Sequence, residues 1–303
     1  MGALTVTWEQ IFGAFIDFSD YGELVPLFRD SLLAGAVLGL LGGLIGIFVM
    51  MRDLAFAVHG IAELSFAGAA LALLLGFDVI TGSLIGSITA AGVIGLLGVR
   101  ARDRNSIIGV LMPFGLGLGI LFISLYPGRS ANKFGLLTGQ IVAVDSAQLG
   151  VLAMTALIVI VALAVIWRPL TFASADAEIA EARGVPVRAL SLLFMLLLGI
   201  SVALSLQIVG ALLVLALLIT PAAAAMQLTA TPRLVVLLSV LFALTAVVGG
   251  ILLALGSTLP VSPYVTTLSF MIYVICRLIA WKRKHSARGA GGTQSRSPAG
   301  SAA

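Results

Sequence analysis

Charge is scarce in this sequence. Only ten per cent of its 303 residues are Asp, Glu, Lys or Arg, against about a quarter in soluble domains. Sixty per cent are hydrophobic, which excludes a soluble globular fold and points to a polytopic membrane protein. A membrane barrel is excluded too, because the apolar runs are continuous and lack the alternating polarity of barrel strands. Cysteine is nearly absent. Cys276 stands alone in an apolar run, so there is neither a disulfide framework nor a thiolate metal motif, and it reads as a small packing residue. No G-x-x-x-x-G-K-[ST] loop occurs, so the chain is not an ATPase of the P-loop kind. The net charge of +4 is not a nucleic-acid signal, since the basic residues flank membrane segments. Nothing basic precedes Arg29, so a cleavable signal peptide is not expected.

What remains is an all-α polytopic membrane protein with about nine transmembrane helices. The expected spans lie near Ser31–Met50, Leu54–Leu75, Val79–Val99, Ser106–Tyr126, Leu149–Trp167, Ala189–Leu206, Ile208–Met226, Leu234–Leu255 and Tyr264–Ala280. Residues 1–30 carry aromatics together with Glu9, Asp17, Asp20 and Glu23. That segment is too acidic to span and suits an amphipathic, interfacial and extracytoplasmic position. Residues 282–303 begin basic and continue rich in Gly, Ser and Ala, the composition of a disordered tail. Residues 31–281 form the membrane domain.

Basic residues fix an orientation. With the amino terminus outside and the carboxyl terminus inside, Arg52, Arg100, Arg102, Arg104, Arg168, Arg183, Arg188, Arg233 and Lys282–Arg283–Lys284 share the cytoplasmic side. Only Arg29, Arg129 and Lys133 fall on the other. Glycines crowd the spans, as in Gly35 to Gly46, and read as close helix packing. Pro113 and Pro221 can kink or break a helix and leave carbonyls free to face a cavity.

Two ionisable residues stand out inside the second span: His59 and Glu63. On a helix the i, i+4 spacing puts them on one face. An ionisable group at that depth costs about 2.5–3.5 kcal/mol even on lenient insertion scales, so the pair needs partners or a wet cavity. An imidazole and a carboxylate together suit a cation in transit, while the plainer reading is a hydrogen bond that ties helices. Gln140, Gln207 and Thr220 are expected to satisfy backbone or neighbouring helices. Asp78 and Asp145 are placed outside, either receiving a delivery protein or simply solvated.

The longest inner connection, Trp167 to Ala189, contains a short helix near 175–184 with readable ends. Ser174 or Asp176 can cap its start, Glu178 and Glu181 suit the positive end of its dipole, Gly184 stops it and Pro186 blocks continuation. Such a helix is a docking element for a partner, or else a solvated connector.

Three stretches then resemble the membrane permease subunit of bacterial ABC importers for manganese, zinc or iron. They are RDLAFAVHGIAELSFAGAALALLLG (Arg52 to Gly76), the pair FGLLTGQIVAV (Phe134 to Val144) and ADAEIAEARGVPV (Ala175 to Val187), and VGALLVLALLITPAAAAM (Val209 to Met226). The resemblance covers about Ser31 to Ala280. It implies that His59 and Glu63 are metal ligands in the pathway, although Glu63 stands where the family usually has His and His59 where it has Asp or His. It further implies that Asp176, Glu178, Glu181, Arg183 and Gly184 couple to a cytoplasmic ATPase subunit that holds the ATP. An extracellular metal-binding lipoprotein and a second permease copy are the other implied partners, and the bacterial cytoplasmic membrane is the implied location. The ligand chemistry places zinc slightly ahead of manganese. A secondary transporter using His59 and Glu63 as a proton relay is the alternative, and a non-transporting membrane scaffold is a further rival.

Overall fold

A computed structural model describes residues 21–97, 101–128, 144–210, 213–256 and 260–291. The segments 1–20 and 129–143, including Gln140, and the terminal 292–303 lie outside the described residues. Among the described residues twelve helices follow one another: α1 (Tyr21–Leu27), α2 (Arg29–Met51), α3 (Ala55–Leu75), α4 (Val79–Leu97), α5 (Ala101–Leu125), α6 (Ser146–Ala175), α7 (Ala177–Ala182), α8 (Val187–Val209), α9 (Val214–Leu218), α10 (Thr220–Leu228), α11 (Pro232–Leu255) and α12 (Val261–Gly291). Eight of them are long and apolar enough to cross a membrane.

The ninth expected span, Ile208–Met226, is not one helix. It is divided into α9 and α10, with α8 overlapping its start. Two local causes are visible. Gly210 closes α8 at φ 84° and ψ 160°, a conformation open essentially to glycine alone. Pro221 sits in the first turn of α10, where its missing N–H costs nothing but where it could not continue a helix arriving from α9. Pro113 and Pro169, by contrast, lie inside helices that run on. Accordingly α6 reaches Ala175, well past Trp167, and shortens the inner connection. The last helix also runs beyond Ala280 to Gly291. Lys and Arg are good helix formers, and the Arg283 guanidinium donates to the Leu228 carbonyl at 3.4 Å, supplying an acceptor at the end of α10 with a partner.

The bundle is organised around α2 and α8, whose apolar windows are the most buried. α2 presents small residues on two faces. Along one, Gly39 and Gly43 lie against Leu244 and Val240 of α11, so that a Cβ at Gly43 would come within 2.7 Å of the Val240 Cα. There the Ser239 hydroxyl donates to the Gly43 carbonyl at 2.7 Å. Along the other, Gly42 and Gly46 lie against Leu217 and Leu218 of the broken segment. Without a hydrophobic drive between helices in lipid, such close approach supplies the dispersion that holds them. At one end of the bundle Phe48 packs edge-on against Trp167, with centroids 4.7 Å apart. The exposed apolar side chains of α5, α6 and α12, among them Val110, Ile120, Val165 and Ile275, are what a lipid-facing surface requires.

Candidate functional site

α3 begins after a tight turn at Arg52–Leu54, in which Asp53 takes φ 54°, a left-handed conformation that Asp tolerates better than most residues. About one turn into α3 the helix delivers His59, and about one turn later Glu63. Their side chains converge: His59 Nε2 lies 3.6 Å from Glu63 Oε1. That is beyond a good N–H···O hydrogen bond. The Nδ1 atom of His59 is buried and makes no hydrogen bond.

The pair differs in exposure. The His59 side chain is 34% exposed and that of Glu63 13%. The difference has a cause, because His59 lines an open cavity of about 600 Å³ and Glu63 is set deeper, where α5 crosses α3 at Gly115. Four parts of the chain build the cavity: Ala55, Phe56 and His59 of α3, Met112 of α5, Leu215, Ala216, Ile219 and Thr220 at the α9–α10 break, and Thr266 and Phe270 of α12. The break is therefore a wall of the cavity that holds the histidine. Where a membrane helix is interrupted, its backbone is tolerated at depth only against protein or a cavity. Here it has both. The Ala216 carbonyl accepts from the Ser269 hydroxyl at 3.1 Å, and Ile219 and Thr220 face the open space.

Chemically the cavity wall offers the His59 imidazole, Thr220, Thr266 and the Met112 side chain around a space large enough for a hydrated ion, with the Glu63 carboxylate 3.6 Å behind the imidazole. Among the described residues no three His, Cys, Asp or Glu side chains gather. Sequence reasoning singled out His59 and Glu63 but gave Thr220 only a structural part; the structure sets it on the cavity wall. Met112, Thr266 and Phe270 carried no signal, since they reach the site from distant helices. The side chain of Gln207 lies outside the described residues.

The residues expected to meet a partner sit together elsewhere. Asp176, Glu178, Glu181, Arg183 and Gly184 are all exposed around α7. Of the two possible caps, Asp176 is the one used, its Oδ1 accepting from the Ile179 N–H at 2.9 Å. The Ser174 hydroxyl donates instead to Leu170 within α6. Gly184 takes φ 83° and closes the helix, its N–H bonding Glu181 and the next N–H reaching back to Ala180, the Schellman pattern. Arg183 lies over the Phe172 ring at 5.9 Å. Ala180 is buried against the bundle while Ile179 is half exposed. Asp78 and Asp145 are helix caps: Asp78 accepts from the Thr81 backbone and hydroxyl, both at 2.8 Å, and Asp145 from the Gln148 N–H at 2.7 Å. Desolvation works to raise the Asp78 carboxyl, but the hydrogen bonds from Thr81 and Ile80 outweigh it and hold the group below its ordinary value.

Comparison with known proteins gives this arrangement a family. The ABC 3 transport family pattern matches residues 25–280. The manganese transport system membrane protein MntC of Halalkalibacterium halodurans is 31% identical over 224 residues, spanning 74% of this chain and 77% of that one. The high-affinity zinc uptake system membrane protein ZnuB of Haemophilus influenzae is 25% identical, over 81% of this chain and 94% of its own. Among solved structures, PsaBC from Streptococcus pneumoniae in complex with Fab superposes with a TM-score of 0.75 at 25% identity, covering 84% of this chain and 95% of that one. The chain, an all-helical multi-pass membrane protein with no nucleotide loop of its own, belongs to the ABC 3 transport family of membrane permeases.

Proposed function

We propose that this chain is the permease subunit of an ABC importer that moves zinc or manganese inward across the bacterial cytoplasmic membrane, with ATP hydrolysed on a separate subunit. The observation that carries the reading is the convergence of His59 and Glu63 beside a cavity walled by a broken membrane helix. An unprotonated imidazole and a carboxylate are ligands for both metals. Their spacing also suits a shared ion. Two zinc ligands at about 2.1 Å and tetrahedral angles stand about 3.4 Å apart, close to the 3.6 Å found between Nε2 and Oε1. Two protein ligands hold an ion weakly, which transit requires, since binding must permit exit. The hydroxyls of Thr220 and Thr266, water or a second permease copy complete the shell.

The rest of the machine follows from charge and exposure. Basic residues place α7 and the carboxyl terminus in the cytoplasm and the amino terminus outside. α7 then seats on the ATPase through Asp176, Glu178, Glu181, Arg183 and Gly184, with a second copy of the permease forming the pore and an extracellular metal-binding lipoprotein delivering the ion. Asp176→Ala removes the cap and is expected to cost α7 about 1 kcal/mol. ATP-driven uptake should fall several-fold in Asp176→Ala and be largely kept in Asp176→Asn, which still caps. Equal uptake by Asp176→Ala and the unaltered chain would remove α7 from the coupling step.

The deciding experiment reconstitutes the chain in vesicles with and without its ATPase and measures radioactive zinc and manganese entering. ATP-dependent uptake upholds the reading, and competition between the two metals names the cargo. Uptake by the chain alone, driven by a pH gradient, would instead make His59 and Glu63 a proton relay.

A further inference from the structure

A second group of polar atoms lies at the end of the bundle where α7 joins α8, away from the cavity. Arg52, in the turn after α2, donates through Nη2 to the Ser191 hydroxyl in the first turns of α8. Its guanidinium carbon lies 5.8 Å from the Phe194 ring centroid. Arg104 of α5 crosses to the same turn and donates through Nη2 to the Arg52 carbonyl at 3.4 Å. These contacts leave two donors stranded, because Arg52 Nη1 and Arg104 Nε are buried and have no hydrogen-bond partner.

Among the described residues no acid pairs with the two cations. The one ion pair among the described residues is that of His59 with Glu63, and Asp53, next in sequence to Arg52, joins neither guanidinium. Burial, and then the charge of Arg104, push the Arg52 guanidinium below its ordinary value. Two half-buried like charges with orphan N–H groups are costly. Each unsatisfied buried donor forfeits the hydrogen bond it made to water, a larger loss where the group is charged. Natural structures meet such a cost with an acceptor.

We infer that Arg52 and Arg104 together bind a phosphate oxyanion, the chemistry shared by a phospholipid headgroup and free inorganic phosphate. Position and geometry favour it. α2 has 23 residues, about 34 Å of helix, against a hydrocarbon core of about 30 Å. Arg52 follows directly and so stands at headgroup depth, where phosphates are dense. Guanidinium forks match phosphate oxygens two at a time, and the stranded Nη1–H and Nε–H are the donors that remain. Basic pockets between helices are where membrane proteins hold anionic headgroups. The inference does not depend on what the cavity carries.

The test follows the melting midpoint of the full chain, purified in a phosphate-free maltoside detergent. Phosphatidylglycerol is titrated against a neutral glycolipid, and inorganic phosphate against chloride at equal ionic strength. The unaltered chain is expected to rise with phosphatidylglycerol or with phosphate beyond its control. Arg104→Gln should need about tenfold more of the same anion, a difference of about 1.4 kcal/mol. Arg104→Lys, which keeps the charge and loses the fork, should fall between them. A rise with the lipid alone names the headgroup as the source, and a rise with phosphate alone names the free ion. Identical titrations for the unaltered chain and both variants overturn the inference, as does the lack of any response in the unaltered chain. Should the anions have no effect while Arg104→Gln abolishes capture of the ATPase, the pair serves a partner's carboxylate and the phosphate site is refuted. If Arg104→Gln fails to fold, Arg104→Lys and the two titrations of the unaltered chain still decide.

Discussion

Replacing His59 and Glu63 together with alanine is expected to stop metal uptake while leaving the chain as stable as before. The two effects have separate physical sources. Losing even an outer-sphere partner of a metal costs about 10- to 100-fold in affinity or activity, so removing both proposed ligands should lower uptake by about 100-fold or more. Stability should respond differently, because the pair stands 3.6 Å apart, too far for a strong hydrogen bond, and His59 Nδ1 has no partner to lose. Removing an ionisable group from membrane depth also relieves an insertion cost of about 2.5–3.5 kcal/mol on lenient scales. The measurement is ATP-driven uptake together with the melting midpoint of the purified variant. If the pair were only a structural tie, the midpoint would fall and uptake per folded molecule would be kept. Glu63→Gln sharpens the comparison, since it preserves shape and hydrogen bonding but removes the ligand charge. It should behave like alanine in uptake and like the unaltered chain in stability.

Much of this was legible in the sequence because membranes simplify the problem. Long apolar runs must be helical, so eight of the nine expected spans correspond to the eight long helices. The gaps between the first three expected spans, at Arg52–Asp53 and Phe77–Asp78, are turns between helices. His59 and Glu63 stand out in the sequence because ionisable groups are rare and expensive at that depth, and the i, i+4 spacing that puts them on one face agrees with their 3.6 Å approach. The ends of α7 were legible for a similar reason: caps are local, and Asp176 and Gly184 act within four residues of themselves.

Hydropathy records whether a residue can sit in lipid but not whether its helix is continuous, so Ile208–Met226 read as one span although Gly210 and Pro221 stood in plain sight. A proline did not decide the matter by itself, because Pro113 and Pro169 are carried inside intact helices. What separates Pro221 is its company. Gly210 adopts a conformation other residues avoid, and Gly42 and Gly46 on α2 leave room for the displaced backbone. The cavity was illegible because its walls come from four distant segments, and one sequence carries no record of which helices meet.

That dependence on Gly46 yields the second large effect. A Cβ at Gly46 would overlap the Leu218 carbonyl oxygen and press on the Ala222 Cβ at 3.3 Å. Both neighbours belong to the broken segment, and a backbone carbonyl cannot rotate aside as a side chain can. Gly46→Val must therefore push α9 and α10 away from α2, with an overpacking cost of about 1–3 kcal/mol. The same displacement moves Ile219 and Thr220 on the cavity wall, so uptake should fall more steeply than stability, by about tenfold even at temperatures where the variant remains folded. Gly46→Ala should show both effects to a lesser degree. Gly150 of α6, where an added Cβ meets nothing within 4 Å, is the control: Gly150→Ala should be neutral or slightly stabilising, as expected for glycine to alanine in an open helical position. Thermal unfolding and uptake measured on the same three preparations separate general sensitivity to glycine replacement from a specific demand at the break. If Gly46→Val transports like the control, the break does not govern the passage and the cavity wall is free to move without consequence.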